Sequence, residues 1–177
     1  MKIVLAPLAL ALVAAPALAQ SSPSPLADAL RSDLDRAQRN LVGAAQAMPA
    51  EKYSYKPTDK QMSFGQLVLH VAGSNEYLCS TISGQKKPDE PKLAPTDSKE
   101  KLTARLTRSF DYCHSALANV TDTALSDSLP FFGGRKVTRA AAMMDLAADW
   151  GDHYGAAAIY LRLNGVLPPT AKRGEAE

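Results

Sequence analysis

Asp149 and His153 are the residues of this 177-residue chain best suited to chemistry. They lie four positions apart in a strongly helical stretch, so both side chains occupy one helical face about a turn apart. A carboxylate and an imidazole so placed can share a divalent metal ion if a facing helix supplies a third ligand. The spacing equally suits a buried Asp–His hydrogen bond, or an ion pair of Asp149 with Arg139 or Arg162.

Histidines are scarce, so few residues can be the third ligand. The chain contains three, and the other two are His70 and His114. His70 follows Leu67 by three positions at the border of an apolar helical face, so we expect its imidazole to point inward or nearly so. His114 follows a residue of an apolar seam, and we expect it at the surface. His70 is therefore the candidate partner of Asp149 and His153.

Three more side chains are candidates for the surroundings of such a site. Asp152 is adjacent to His153 but turned about 100° around the helix. Glu76 lies near two turns after His70. Either carboxylate suits proton transfer, and either equally suits a solvated surface. Tyr160 follows His153 by seven positions on nearly the same face, so it either lines a pocket wall or packs in the core.

The elements that position these residues are helices. Apolar residues recur at intervals of three and four in four segments, separated by stretches rich in Pro, Gly, Ser and Asp. Ser63 and Thr138 suit the N-caps of the second and fourth helices. The pattern predicts helices over about 25–48, 63–83, 98–119 and 139–164.

The connections between these helices are informative as well. Residues 49–62 and 120–137 are long enough for crossovers, in place of simple up-and-down order. Within the second connection, Gly133-Gly134 suits a tight turn between two short arms over 129–138. The predicted fold class is all-α, a four-helix bundle with long crossover connections and a small β-hairpin before the last helix.

The N-terminus has the pattern of an export signal. Lys2 precedes an apolar run over 3–15, and Ala17-Leu18-Ala19 forms a small-x-small cleavage site. The apolar run is too short to span a bilayer. Cleavage after Ala19 leaves 177 − 19 = 158 residues, and we expect 20–177 to form one domain. The sequence thus predicts export, to the periplasm of a bacterium.

Two cysteines, Cys79 and Cys113, fall on the second and third predicted helices. In an oxidising compartment a disulfide that clamps these helices is the first expectation. The alternative is two buried free thiols that behave as small hydrophobic residues.

Charge and hydropathy exclude several kinds of partner. The formal charge of +2 falls to +1 without Lys2, and charges of both signs are interspersed. Such a balance argues against nucleic-acid binding. No second apolar run approaches the length of a transmembrane helix, so we expect no membrane contact of the mature chain.

Two segments carry a family resemblance: SFGQLVLHVAGSNEYLC at 63–79 and DWGDHYGAAAIYLRLNGVLPP at 149–169. They resemble the DinB/YfiT-like family of four-helix-bundle metalloenzymes, and the likeness extends weakly over most of the mature chain. In that family a histidine on the second helix and two histidines on the fourth, spaced by four, bind a divalent ion. The resemblance implies His70 as the first ligand and His153 as the third.

Asp149 occupies the middle ligand position, where the family most often has histidine. The change replaces a neutral nitrogen donor with an anionic oxygen donor. Two imidazoles and one carboxylate still form a plausible facial triad with open positions, which suits harder ions better than three histidines would.

The resemblance implies a metal-dependent enzyme of the hydrolase or thiol-transferase type. A divalent ion (Ni, Zn, Mn or Fe) would activate water or a thiol for attack on an unknown small-molecule substrate. Asp152 or Glu76 would relay a proton. The alternative is an exported, non-enzymatic bundle with a degenerate metal site that binds a small molecule or protein, or pairs with itself as a homodimer. The departure at Asp149 favours this alternative.

Overall fold

The computed structural model describes residues 23–174, so the predicted export signal over 1–19 lies outside the described part. Within it, no helix combines the length and the apolar character needed to cross a bilayer. The described chain contains the predicted long helices, α1 (Pro25–Ala47), α2 (Phe64–Ser83), α3 (Lys99–Leu117) and α4 (Arg139–Leu163).

Local chemistry sets the helix boundaries close to their predicted places. Ser63 forms a capping box with Gln66, because each side chain bonds the other residue's backbone N–H, at 3.2 and 2.7 Å. The Thr138 hydroxyl accepts from the Ala141 N–H at the start of α4. Gly84 ends α2 at a φ of 75°, a left-handed conformation that glycine adopts without strain.

The helices pack with crossovers. Both α1 and α2 pack against α3 and against α4, so α1 lies diagonally across the bundle from α2, and α3 from α4. The connections 48–63 and 118–138 therefore cross the ends of the bundle. The predicted all-α bundle with crossovers is confirmed. This arrangement sets α2 directly beside α4, the two helices that carry the candidate ligands.

The predicted hairpin is present before α4. Strands β1 (Ser128–Pro130) and β2 (Lys136–Thr138) pair antiparallel, with Leu129 opposite Val137. The connection differs from the predicted tight turn, because it takes the five residues 131–135 and contains a 3₁₀ turn. Gly133 and Gly134 both have positive φ, 66° and 73°, which explains the need for two glycines there.

A short helix, α5 (Pro169–Gly174), was not predicted. The pair Pro168-Pro169 does end the preceding helical region, as expected. Proline is nevertheless well tolerated at the first position of a helix, where its missing N–H has no intrahelical acceptor, so Pro169 also starts a new one. Its ring packs against Gly43 of α1.

The core fills the space between the four long helices and contains the disulfide. Cys79 of α2 and Cys113 of α3 are fully buried and bonded to each other, with 5.4 Å between their Cα atoms. The predicted clamp between the second and third helices is confirmed, and the alternative of two free thiols is wrong.

Candidate metal centre

Three predicted ligands converge where α2 packs on α4. His70, Asp149 and His153 each offer a donor atom, and these three atoms lie within 4.8 Å of one another. The centroids of the two imidazole rings are 4.8 Å apart. The fold therefore brings together residues that are 79 positions apart in sequence (149 − 70).

The cluster lies at the rim of the bundle. His70 is exposed, so the expectation that it points inward was wrong. The side chains of Asp149 and His153 are 20% and 17% exposed, whereas the residue next to Asp149, Trp150, is buried. The buried face of α4 is centred on Trp150 and Leu161, so Asp149 and His153 lie at the edge of that face. One side of the cluster is thus open to solvent.

The His153 ring is held by the backbone of its own helix. Its Nδ1 lies 2.6 Å from the carbonyl oxygen of Asp149. A carbonyl oxygen can only accept, so Nδ1 carries the proton and donates it. The other ring nitrogen, Nε2, then keeps its lone pair. A hydrogen bond of this kind fixes the tautomer of a metal-ligating histidine.

The Asp149 carboxylate lacks partners that match its charge. Its Oδ1 is 3.5 Å from His153 Nδ1, and its Oδ2 is buried with no hydrogen-bond partner among the described residues. Burial raises the pKa of Asp149 above its ordinary value, while His153 and His70 act in the opposite direction. An anionic oxygen in this position needs a cation or a proton.

The arginines that were candidates to supply that cation lie elsewhere. Arg139 donates to the carbonyl oxygens of Ile82 and Ala124 and pairs with Asp127. Arg162 is exposed and forms no ion pair within residues 23–174. The predicted alternatives of an Asp149 pair with Arg139 or Arg162 are therefore wrong.

The donor set fits a divalent ion. Two donors bound to one ion at about 2.1 Å each are at most about 4.2 Å apart, so modest side-chain rotation would close the cluster. The exposed His70 ring has room for such a rotation. An ion held there would also supply the positive charge that the Asp149 carboxylate lacks, since its buried Oδ2 has no hydrogen-bond partner among the described residues.

A buried polar network fixes α4 beside these ligands, and it was not predicted. The Asn75 side chain accepts from Trp150 Nε1 at 2.7 Å and donates to Ser109 Oγ at 3.0 Å. It thereby joins α2, α3 and α4 one residue from Asp149. A sequence signal existed, because Asn75 fills the gap between Val71 and Leu78 in the apolar stripe of α2.

Two cavities adjoin the cluster. One, of about 390 Å³, is lined by His153, Tyr160 and apolar residues including Met62 and Leu67. The Tyr160 ring forms part of the cavity wall, and its hydroxyl donates a hydrogen bond to the Met62 carbonyl oxygen at 2.7 Å. The other cavity, of about 280 Å³, adjoins Asp149 and reaches Phe131 and Phe132 at the tip of the hairpin. Asp152 is exposed and lines both.

Glu76 is not part of this cluster. It is nearly buried and forms an ion pair with Arg105 of α3, an arginine that sequence reasoning missed. Six positions separate it from His70, which turns it about 120° away around α2. The expectation that it is either solvated or near the ligands was wrong. The expected surface position of His114 is confirmed in part, because its side chain is 37% exposed and its Nε2 is 2.8 Å from Gln38 Oε1 of α1.

Comparison with known proteins agrees with the fold. The sequence pattern of the DinB superfamily matches residues 33–157 of this chain, a range that includes His70, Asp149 and His153. No protein of curated function matches the chain.

Solved structures of similar fold include three bacterial proteins. A DinB-like protein from Bacillus subtilis superposes with a TM-score of 0.63 at 23% identity, over 77% of this chain and 92% of its own. A DinB-like protein from Bacillus cereus superposes with a TM-score of 0.67 at 17% identity, over 80% of this chain and 95% of its own. A conserved protein from Enterococcus faecalis superposes with a TM-score of 0.61 at 20% identity, over 75% of this chain and 93% of its own. The chain belongs to the DinB superfamily.

Proposed function

We propose that this protein is a metal-dependent enzyme that holds one divalent ion through His70, Asp149 and His153. The observation that carries the proposal is the convergence of three donors around a buried carboxylate oxygen with no partner in the described chain. A buried carboxylate oxygen without a partner is destabilising, so its presence is explained best by a cation that binds there.

The chemistry follows from the open side of the cluster. A divalent ion held by His70, Asp149 and His153 would lower the pKa of a water or thiol bound to it and so supply a nucleophile near neutral pH. We assign the reaction to attack of that nucleophile on a small electrophile, of the hydrolase or thiol-transferase type.

The chain's own residues divide the remaining tasks. The Asp149 carbonyl orients the His153 ring, and Tyr160, Met62 and Leu67 offer an apolar wall to the body of a substrate. Asp152 is exposed between the two cavities, where its carboxylate can accept the proton that the nucleophile loses. Both cavities are open grooves whose size suits a small molecule.

Metal analysis tests this proposal. Protein purified without a histidine tag is stripped, loaded separately with Mn²⁺, Fe²⁺, Ni²⁺ or Zn²⁺, and freed of excess ion. We expect roughly one bound ion per chain for at least one metal, and at least a tenfold loss of affinity in His70→Ala, since even outer-shell changes cost that much. His114→Ala is the matched control, because it removes a histidine remote from the cluster, and it should bind as the original protein does. Failure of all four metals to bind would refute the proposal.

A non-enzymatic binding module is the second candidate. The observation in its favour is the 3.5 Å contact of Asp149 Oδ1 with His153 Nδ1, which partly satisfies the two side chains without an ion. In that case the bundle would bind its partner through the cavities alone. The metal analysis separates the two candidates, because only the enzyme requires the ion.

We also infer that the protein is exported. The signal pattern over 1–19 and the buried disulfide support this, since disulfides persist in oxidising compartments such as the bacterial periplasm.

A further inference from the structure

The tip of the hairpin and α4 enclose the cavity of about 280 Å³ beside Asp149. Its lining combines two aromatic rings of the hairpin connection, Phe131 and Phe132, with three carboxylates of α4, Asp145, Asp149 and Asp152. Steps of four and three residues place these carboxylates on one face of the helix. Among the described residues that line the cavity there is no lysine, arginine or histidine. The cavity is therefore both aromatic and negatively charged.

Phe132 offers a ligand a fixed aromatic surface. It is 47% exposed, whereas Phe131 is buried. Tyr77 of α2 packs against it with 4.0 Å between the two ring centroids, which holds the Phe132 ring in place without covering it. The face of an aromatic ring carries partial negative charge and attracts cations. A half-exposed ring at the wall of an acidic cavity thus suits a positively charged ligand.

Neighbouring rings of this aromatic cluster already contact cations of the chain itself. Lys87 Nζ lies 5.6 Å from the centroid of the Tyr77 ring, and the guanidinium carbon of Arg135 lies 5.6 Å from that of Phe131. No cationic side chain within residues 23–174 lies over Phe132 in this way. The more exposed ring of the cavity is therefore open to a cation from outside the chain.

Asp145 is the carboxylate best suited to pair with that cation. It is exposed and forms no ion pair in the described part of the chain. Asp149 is a proposed metal ligand and Asp152 the proposed proton acceptor, so both have other tasks. Asp145 precedes Asp149 by four residues, which is about 6 Å along the helix axis. A cation between Asp145 and Phe132 would therefore lie about one helical turn from a bound metal ion.

The cavity beside Tyr160 has a different charge. Its lining includes Lys60 and lacks Asp145, while Asp152 lines both cavities. An ammonium group there would approach a lysine of the same charge, which is unfavourable. The cationic end of a ligand therefore belongs in the cavity at the hairpin, and its uncharged part suits the largely apolar wall near Tyr160.

We propose that Phe132 and Asp145 form a subsite that selects substrates carrying a small organic cation, an amino or quaternary ammonium group. The proposal rests on the proposed function in one respect, since it takes the bound molecule to be the substrate of the metal centre. Binding of the cation does not itself require the metal, because neither Phe132 nor Asp145 is a proposed ligand. The two proposals can therefore fail separately.

Choline and 3,3-dimethyl-1-butanol test the subsite, because they have nearly the same shape and only choline is charged. Each is titrated into protein kept free of metal by a chelator, at constant ionic strength, and two-dimensional NMR of the backbone amides gives the dissociation constants. We expect choline to shift resonances of residues 131–132 and 145–152. It should bind about tenfold more tightly than the alcohol, with about threefold from the ring and about threefold from the carboxylate.

Two variants separate these contributions. Phe132→Leu keeps an apolar side chain without the ring, and Asp145→Asn keeps the shape without the charge. Each should reduce the preference for choline to about threefold, and the double variant should nearly abolish it. His70→Ala is the matched control and should keep the full preference, because His70 lines neither cavity. The NMR spectrum of each variant also shows whether it is folded.

Absence of choline binding, or equal binding of the two probes by the original protein, would overturn the proposal. A tenfold preference that survives in either Phe132→Leu or Asp145→Asn would overturn it as well, since the cation would then bind elsewhere. A preference that responds to both variants, in a protein that binds none of the four metals, would support the cation subsite and refute only the metal-dependent function.

Discussion

Replacing Arg105 with alanine is expected to lower the free energy of unfolding by about 3 to 5 kcal/mol. The side chains of Arg105 and its partner Glu76 are only 10% and 12% exposed, so the change leaves a carboxylate in the contact between α2 and α3 without its counter-ion. The two closest atoms lack the alignment of a hydrogen bond, so charge attraction holds the pair. Urea unfolding followed by the fluorescence of the buried Trp150 measures the loss.

Two controls separate this charge effect from lost packing. Arg108 binds Glu90, at 2.8 Å, but is about half exposed, and Glu90 also lies 3.8 Å from Arg105. Because Glu90 keeps a cation beside it, Arg108→Ala should lower the free energy of unfolding by about 1 kcal/mol or less. Replacing both partners, as Glu76→Leu with Arg105→Met, should recover most of the stability, because apolar residues of similar size carry no buried charge. A loss below about 1 kcal/mol in Arg105→Ala would show that the pair is solvated, contrary to this account.

Removing the disulfide is expected to lower the free energy of unfolding by a similar amount. The bond between Cys79 and Cys113 closes a loop of 34 residues, and chain entropy alone assigns such a cross-link about 4 kcal/mol. Cys79→Ala with Cys113→Ala removes the bond and leaves only small cavities, so most of the effect should come from the unfolded chain. Urea unfolding of the oxidised protein and of the double variant provides the comparison.

A thiol assay decides whether the bond forms in the protein as purified from an oxidising compartment. Denatured, unreduced protein should show no reactive thiol, since the described pair accounts for both cysteines of the sequence. Two reactive thiols would contradict the disulfide. Equal stability of the oxidised protein and the double variant would contradict the expected magnitude.

The fold could be predicted largely because its signals are local. Apolar spacing, the capping residues Ser63 and Thr138 and the left-handed Gly84 act within a turn or two, and the helices begin and end close to where these residues predict. The hairpin was predicted from its paired glycines, but its five-residue connection was not, because Phe131 and Phe132 pack with Tyr77 in the turn region. The short helix α5 was missed because Pro168-Pro169 was interpreted only as the end of the preceding helix.

The site could be predicted only in part, because burial depends on how the helices are rotated against each other. Spacing placed Asp149 and His153 on one face, the scarcity of histidines made His70 their candidate partner, and the family resemblance implied it as a ligand. Periodicity could not show that His70 lies at an open rim, since a rotation of α2 by a fraction of a turn decides its exposure. The ion pair of Glu76 with Arg105 was missed for a related reason, because it depends on the register of α2 against α3.

The central claim is that the Asp149 carboxylate completes a cation site. The most direct measurement is the free energy of unfolding of the original protein and of Asp149→Asn, each in chelator and each with saturating metal. In chelator the variant should be as stable as the original protein or more stable by up to about 1 kcal/mol. Asparagine keeps the shape of the side chain but removes the negative charge from a carboxylate whose buried Oδ2 has no partner among the described residues.

With metal at about a hundred times its dissociation constant, the original protein should gain about 2.7 kcal/mol, while the variant gains much less. The order of stability should therefore reverse when metal is added. No gain in the original protein, or the same gain in both proteins, would contradict the claim.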